Sequence, residues 1–457
     1  MDATALENVV AELNWTWVIV ATCLVFFMQA GFAFLEIGFS RGKNAGMGIA
    51  KILVNFSIAT IGWWAVGFAV AFGGAGWLSG DSGFLFQFGS SYDLFGETTT
   101  AGGGDAAFFI FQFMFCAVSL AIVWGTTLER MKFVAYIPFA LVFSMVIYPL
   151  IAHWGFGGGL FAADRLGGLF GGGVQDFAGS SVVHLTGATA ALAALLLLGP
   201  RKGKFTAEGE PRAIPGHSMP IFGLGVIILW LGWFGFNGGS TLGTSGTRFA
   251  EVVAVTNLGA AGGVIGAMII GWVKQKTLDI GMIGNGAIAG LVAITAPSGY
   301  VEFWAAPIIG FVGGVLVVLC VLAIEKKLDD PVGALSAHGV AGIWGTLACG
   351  LFTSDRLAET VGIGDAGLFY SGSFSQLGVQ ALAVGFTFVV VFGLSYITLS
   401  IIKATIGLRV SEADEDAGLD IAEHGMYGYP EQFIPAAELV GYGGGPDRTV
   451  PPAPIRS

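Results

Sequence analysis

His184 and His338 each stand eight residues after an aspartate, Asp176 and Asp330, inside stretches that are otherwise apolar. The local sequences are Asp176-Phe-Ala-Gly-Ser-Ser-Val-Val-His184 and Asp330-Pro-Val-Gly-Ala-Leu-Ser-Ala-His338, with a glycine three places after each aspartate. An ionisable side chain in hydrocarbon is costly, so it marks a pathway, a relay or a ligand site. A matched pair in the two halves of a chain points to an internal repeat with a site shared between the halves. A lone histidine in an apolar helix is ordinarily a core residue bonded to a backbone carbonyl, whereas two at matched positions favour the pathway. Metal binding is the rival, but no third ligand of the right kind lies at helical spacing and no His-Glu-x-x-His motif occurs. Two neutral imidazoles can share one proton and suit a small polar solute that both donates and accepts hydrogen bonds. The aspartates have a structural role of their own. Each precedes a helix start, where a carboxylate accepts free N–H groups and complements the dipole. Asp330 is followed by Pro331, a favoured first helical residue, and Asp176 is also placed to orient a site at the outer mouth.

The chain that positions these residues has 457 residues, 54% of them hydrophobic and 11% charged. Soluble domains carry about a quarter charged residues, so the composition is that of an all-α, multi-pass membrane protein. A spanning helix needs about 20 mostly apolar residues, and eleven candidates meet that measure. They lie near 15–39, 46–73, 107–127, 132–154, 177–199, 219–238, 250–273, 279–297, 301–324, 331–352 and 376–406. The eighth and tenth are the least hydrophobic and the richest in glycine. The 74 glycines suit close packing of membrane helices. Cys23, Cys116, Cys320 and Cys349 all lie in apolar segments without metal-type spacing, so they read as small buried hydrophobes. An acidic start (Asp2, Glu7, Glu12) lacks the basic region of a cleaved signal, so the first apolar stretch reads as a retained helix.

Orientation follows from the 20 Lys and Arg residues. With eleven helices, seventeen of them, from Arg41, Lys43 and Lys51 through to Arg456, fall on one side. Only Arg165, Arg248 and Arg356 fall on the other. That alternation puts the N-terminus outside and the C-terminal tail in the cytoplasm. The stretch 74–106 lacks Lys and Arg and reads as an external loop, and Arg201-Lys202-Gly203-Lys204 as a cytoplasmic anchor. Eleven divides as five, five and one. Inverted repeats are expected over about 15–199 and 219–352, with a final helix at 376–406 closing a membrane domain of residues 1–406. Opposite orientation puts Asp176 near the outer face and Asp330 near the inner one. Eight residues of helix rise about 12 Å, which carries both imidazoles towards the middle of a core about 30 Å thick. Residues 407–457 form the tail. Its 411–435 segment holds too many apolar and aromatic residues to be a solvated strand of chain, while the Pro/Gly-rich end from Gly441 is expected to be disordered.

Two aromatic clusters, Phe108 to Phe115 and Trp230 to Phe236, hold mostly packing or lipid-facing rings. Rings on a pore wall would instead form a cation–π cage at the mouth and a hydrophobic constriction below it. With these motifs the chain resembles the ammonium transporter family (Amt/MEP, related to Rh proteins) over almost its whole length. The resemblance rests on the two Asp-to-His segments, Gly232-Trp-Phe-Gly-Phe-Asn-Gly-Gly-Ser240, Gln112-Phe-Met-Phe115 followed by Glu129-Arg130, and the tail segments Gly407-Leu-Arg-Val, Gly418-Leu-Asp and His424-Gly425.

The resemblance implies ammonium/ammonia transport, with methylammonium as an analogue, and no enzyme activity or cofactor. Phe115 and Ser240 then resemble parts of an external ammonium recruitment site, supported by Asp176. Phe115 and Phe236 resemble a paired phenyl gate, with Phe111 grouped at the same constriction. Trp233 resembles a pore-lining tryptophan, and His184 and His338 the twin-histidine pore centre. A homotrimer in the cell membrane with one pore per subunit is implied, as is a tail on which PII-type signalling proteins act; no nucleic acid is expected as a partner. Two features depart from the family pattern. Where a Trp commonly precedes Gly-Gly-Gly in the external loop, this chain has Phe156, with Trp154 two places earlier, and Phe156 is the expected recruitment residue. The tail reads His424-Gly-Met-Tyr-Gly-Tyr429, without the usual Glu after Gly. Other function classes stay open: an ammonium sensor that binds but conducts poorly, set back by the lack of an appended kinase or cyclase domain, and an intramembrane metalloenzyme, which lacks ligands. A potassium-type pore is disfavoured because its Thr-Val-Gly-Tyr-Gly filter is absent.

Overall fold

The structure, a computed structural model, describes residues 3–74, 76–87 and 103–434. The described residues form helices and loops without a β-strand, with isolated bridges at Met131–Arg409 and Phe205–Pro211. Ten helices are long and apolar enough to cross a membrane. They are α1 (Leu6–Phe39), α2 (Gly42–Phe72), α3 (Gly104–Gly125), α4 (Phe133–Gly155), α5 (Ser180–Leu198), α6 (Met219–Gly239), α7 (Ser245–Gln275), α9 (Ala305–Ile324), α10 (Leu335–Phe352) and α11 (Ser375–Thr405). The eighth expected span is a shorter apolar helix, α8 (Ile280–Thr295). Its neighbours explain how a short helix is tolerated: α8 is enclosed by other helices, and all its residues from Asn285 to Thr295 are buried. The expected disordered end from Gly441 lies outside the described residues, as do residue 75 and residues 88–102 of the external loop expected over 74–106.

Glycine sets the packing distance. An added Cβ at Gly310 on α9 would overlap the carbonyl oxygen of Gly259 on α7, so these helices approach backbone to backbone. The outer surface of the bundle is apolar, with Leu53, Ile227, Trp272, Val389 and Ile397 exposed. Such a surface is compatible with lipid and not with water.

At one end of the bundle the interhelical linkers are tied by ion pairs. Arg201 holds Asp329 through Nε at 2.9 Å, a second guanidinium nitrogen at 2.9 Å and its backbone N–H at 2.7 Å. Burial alone would raise the Asp329 carboxyl, but the Arg201 bonds and charge, with Arg130 nearby, hold it down at about 2. Buried Arg130 donates to the carbonyls of Leu128, Gly199 and Asp329. The backbone N–H and Nε of Arg41 donate to Glu129. The tail packs onto the same end. Asp420 accepts the N–H groups of Gly46 and Met47 at 2.9 and 2.8 Å, near the start of α2, and Leu419 is fully buried. At the other end Arg248 pairs with Glu251, and Arg356 with Glu302. Lys51, within the second expected span, is a fully buried residue on α2, paired with Glu36 on α1.

Candidate functional site

Each Asp-to-His segment reaches its helix by the same device. The glycine three places after the aspartate has positive φ, +117° at Gly179 and +72° at Gly333, a conformation side chains disfavour. A π-helical turn follows in each, Ser180–Leu185 at the head of α5 and Leu335–Val340 at the head of α10, and each contains the histidine. Such turns leave carbonyls without an intrahelical partner and recur at functional positions. The hydroxyl of Ser119 on α3 donates to the Val183 carbonyl at 2.8 Å, beside the Thr186 N–H that the same oxygen accepts. Ser180 fastens the turn to α8 by donating to Val292 O and accepting from Ala296 N, both at 2.7 Å.

Asp176 caps its segment fully. Its two carboxylate oxygens accept the N–H groups of Gly179, Ser180, Ser181 and Val182 at 2.8–2.9 Å. Asp330 accepts from Leu335 at 2.8 Å, and its second oxygen is buried without a hydrogen-bond partner. Both histidines sit in the middle of the bundle. Their rings lie 5.3 Å apart at 20°, with the two Nδ1 atoms 3.3 Å apart, so one ring donates to the other. His184 Nε2 is buried without a partner. Trp233 on α6 stacks on His184 at 5.1 Å and 19°, fixed by its Nε1 donating to Thr295 Oγ1 at 2.8 Å.

On one side of His184 the Phe115 and Phe236 rings meet at 4.2 Å, both buried, with Phe111 edge-on to Phe115 at 4.8 Å. Above this pair opens a cavity of about 200 Å³ lined by Phe111, Phe115, Phe156, Asp176, Ser240 and Tyr300. Ser240 donates its hydroxyl to Phe236 O at 2.8 Å, which leaves the oxygen's lone pairs free to accept from a solute. Trp154 is turned away. It is buried against Phe161 and donates its Nε1 to Leu78 O at 3.0 Å, so Phe156 is the aromatic of this segment that reaches the cavity. On the other side of the histidines a cavity of about 20 Å³ is bounded by Phe32, Glu36, Asn285 and His338. Of the residues singled out from the sequence, Phe111, Phe115, Phe156, Asp176 and Ser240 line the larger cavity, His338 borders the smaller one, and Phe236, His184 and Trp233 are in ring contact between them.

Residues 16–429 match the Ammonium Transporter Family. The chain belongs to that family. It is 42% identical over 445 residues to ammonium transporter Amt2 of Archaeoglobus fulgidus, covering 95% of this chain and 92% of that one. A solved sensor Amt protein has 36% identity and a TM-score of 0.82, covering 91% of this chain and 99% of its own. Mep2 of Candida albicans follows with 27% identity and a TM-score of 0.76 over 88% and 87%.

Sequence reasoning missed several residues that the structure adds to the two cavities of this ammonium transporter family member. Tyr300 and Gln112 line the one beside Phe115, and Glu36 and Asn285 the one beside His338. Glu36 carried a signal, because a carboxylate within an apolar span is costly unless it is used. Tyr300 sits past the end of a short helix and carried none. Among the described residues no group of three His, Cys, Asp or Glu side chains is arranged to hold a metal ion.

Proposed function

We propose that this protein carries ammonium across the cell membrane, taking the cation at the outer cavity and passing ammonia along the histidines. The observation that carries the reading is the closed Phe115–Phe236 pair, set between a polar cavity and two hydrogen-bonded imidazoles. An ammonium ion in the outer cavity meets the faces of Phe115 and Phe156, whose ring quadrupoles attract cations, and the oxygen of Ser240. Asp176 shapes this mouth through its capping bonds. Between Phe115 and Phe236 no polar group replaces the ion's water, so a bare charge is costly there. The ion gives up its proton to water in the outer cavity before the gate. Ammonia then passes His184 and His338, each able to donate or accept, and is reprotonated at the inner end. Trp233 walls this path and keeps the His184 ring in plane.

The reading includes two inverted five-helix halves with α11 closing them, the N-terminus outside, the tail cytoplasmic, and a homotrimer with one pore per subunit. The tail is the docking place proposed for a PII-type protein. A second reading, an ammonium sensor on the same scaffold, is favoured by the likeness to the sensor Amt protein. The experiment is uptake or current in proteoliposomes with ammonium and methylammonium, for wild type and the His184→Ala/His338→Ala variant. Selective flux that the double variant loses is the expected result. Ammonium binding without flux in the wild type would select the sensor, and unchanged selective flux in the variant would remove the histidines from the path.

A further inference from the structure

The inner cavity has a carboxylate in its wall. Glu36 and His338 border the same space of about 20 Å³, room for one molecule the size of water or ammonia. Glu36 is ion-paired with Lys51, and the two side chains are 1% and 0% exposed. Lys51 also donates to Trp124 O at 3.1 Å. Apart from Lys51, no protein group reaches either Glu36 oxygen among the described residues. A buried ion pair is weak support for a fold, because apolar residues of the same volume serve as well or better. Here the Glu36 member of the pair borders the same space as His338.

We propose that the Glu36–Lys51 pair is the proton donor that turns ammonia back into ammonium at the inner end of the pore. The proposal rests on the ammonia-passage reading above and supplies its last step. The proton sits on Lys51 Nζ, an alkylammonium, the same kind of N–H acid as ammonium itself. Ammonia in the cavity contacts the Glu36 carboxylate. The Nζ–H bond breaks as a Glu36 O–H bond forms, and that O–H bond breaks as the nitrogen lone pair of ammonia takes the proton. Lys51 is left neutral and ammonium stands beside the Glu36 carboxylate, so charge is conserved. Ammonium departs to the inner side, and a proton from inner water restores Lys51. The titratable groups around Glu36 are Lys51 on α2, His338 on α10 across the cavity and, farther off, the Tyr136 hydroxyl on α4, which is hydrogen-bonded to Thr127.

The test measures ammonium flux in oriented proteoliposomes at alkaline and acidic lumenal pH, each variant taken as a ratio to wild type at the same pH. Glu36→Gln is the direct variant, and Glu36→Gln/Lys51→Met leaves no charge unpaired; thermal unfolding checks that both are folded. At alkaline inner pH both ratios should fall about tenfold or more, the scale of a lost general acid. At acidic inner pH they should recover, because lumenal hydronium then supplies the proton. A structural pair would lose flux equally at both pH values, and that result overturns the proposal. Wild-type flux from the double variant at alkaline inner pH overturns it too. Absence of selective flux in the wild type would instead bring down the transport reading on which it rests.

Discussion

Asp176 and Asp330 hold equivalent places eight residues before a histidine, yet they hold different numbers of N–H groups. Four donors converge on Asp176, whereas Asp330 accepts from Leu335 and keeps an oxygen without a partner. Bonds to a charged acceptor contribute about 1.5–3 kcal/mol each. Asn at 176 would retain one acceptor oxygen and turn an NH₂ group onto two N–H donors. Asp176→Asn should therefore lower stability by about 3–5 kcal/mol and Asp330→Asn by about 1–2 kcal/mol, read as unfolding midpoints of the purified protein. Equal losses would show that the bond count does not set the role of these residues. At this scale residue type and spacing single out the two Asp-to-His pairs, Asp176 with His184 and Asp330 with His338, as polar side chains in apolar runs. Trp233, Phe236 and Ser240 stand in segments where many rings and small residues look alike, and the family resemblance alone picks them out. Side-chain direction is less legible: Trp154 and Phe156 are two places apart, and only the Leu78 carbonyl taking the indole N–H decides which of them meets the cavity.

At the scale of elements, the π-helical turns that carry His184 and His338 begin at glycines with positive φ. An alanine at Gly179 would be strained by its backbone and would press on Val183, and one at Gly333 would meet the Asn285 amide. Gly179→Ala and Gly333→Ala should each cost about 1–3 kcal/mol and, by displacing an imidazole, lower flux more than stability alone explains. Thermal unfolding and proteoliposome uptake on the same preparations separate the two effects. Helix positions were mostly readable from apolar runs, which is why ten expected spans recur within a few residues, α1 beginning earlier than expected. α8 falls short because burial on all sides, not lipid, fixes its length. The turns themselves were hidden, since a π-turn is selected by tertiary partners such as Ser119 and leaves no periodic trace. The linker knot was hidden for the same reason: nothing in sequence pairs Arg201 with Asp329. With its folded value near 2 and an unfolded value of about 3.9, Asp329 is a depressed carboxylate. Its contribution is complete above pH ~4 and is lost as pH falls through about 2, by about 2–3 kcal/mol. Asp329→Asn should flatten that acid limb of the stability curve and lower neutral-pH stability by about 3–5 kcal/mol, because Arg201 is left buried without its partner.

Over the whole molecule, charge is divided between two ends of an apolar bundle. Arg41, Arg130, Arg201, Lys202 and Arg409 gather with the tail at one end. The three cations expected at the other end are each set beside an acid: Arg248 on Glu251, Arg356 on Glu302 and Arg165 4.0 Å from Asp164. Lys and Arg resist transfer across the membrane during insertion, so the end that holds most of them is expected on the cytoplasmic side. This arrangement predicts which loops face which compartment. Glu208, exposed between α5 and α6, belongs to the tail's end, and Asp355, exposed after α10, to the opposite one. In a background with exposed Cys23 replaced, Glu208→Cys and Asp355→Cys should react oppositely with a membrane-impermeant maleimide. In intact cells Asp355→Cys should be labelled and Glu208→Cys protected until the membrane is opened. The reverse pattern would invert the molecule and place the Phe115–Phe236 cavity on the inner side. Labelling of both positions in intact cells would mean that an even number of crossings separates them, and the five-helix interval between His184 and His338 could not stand.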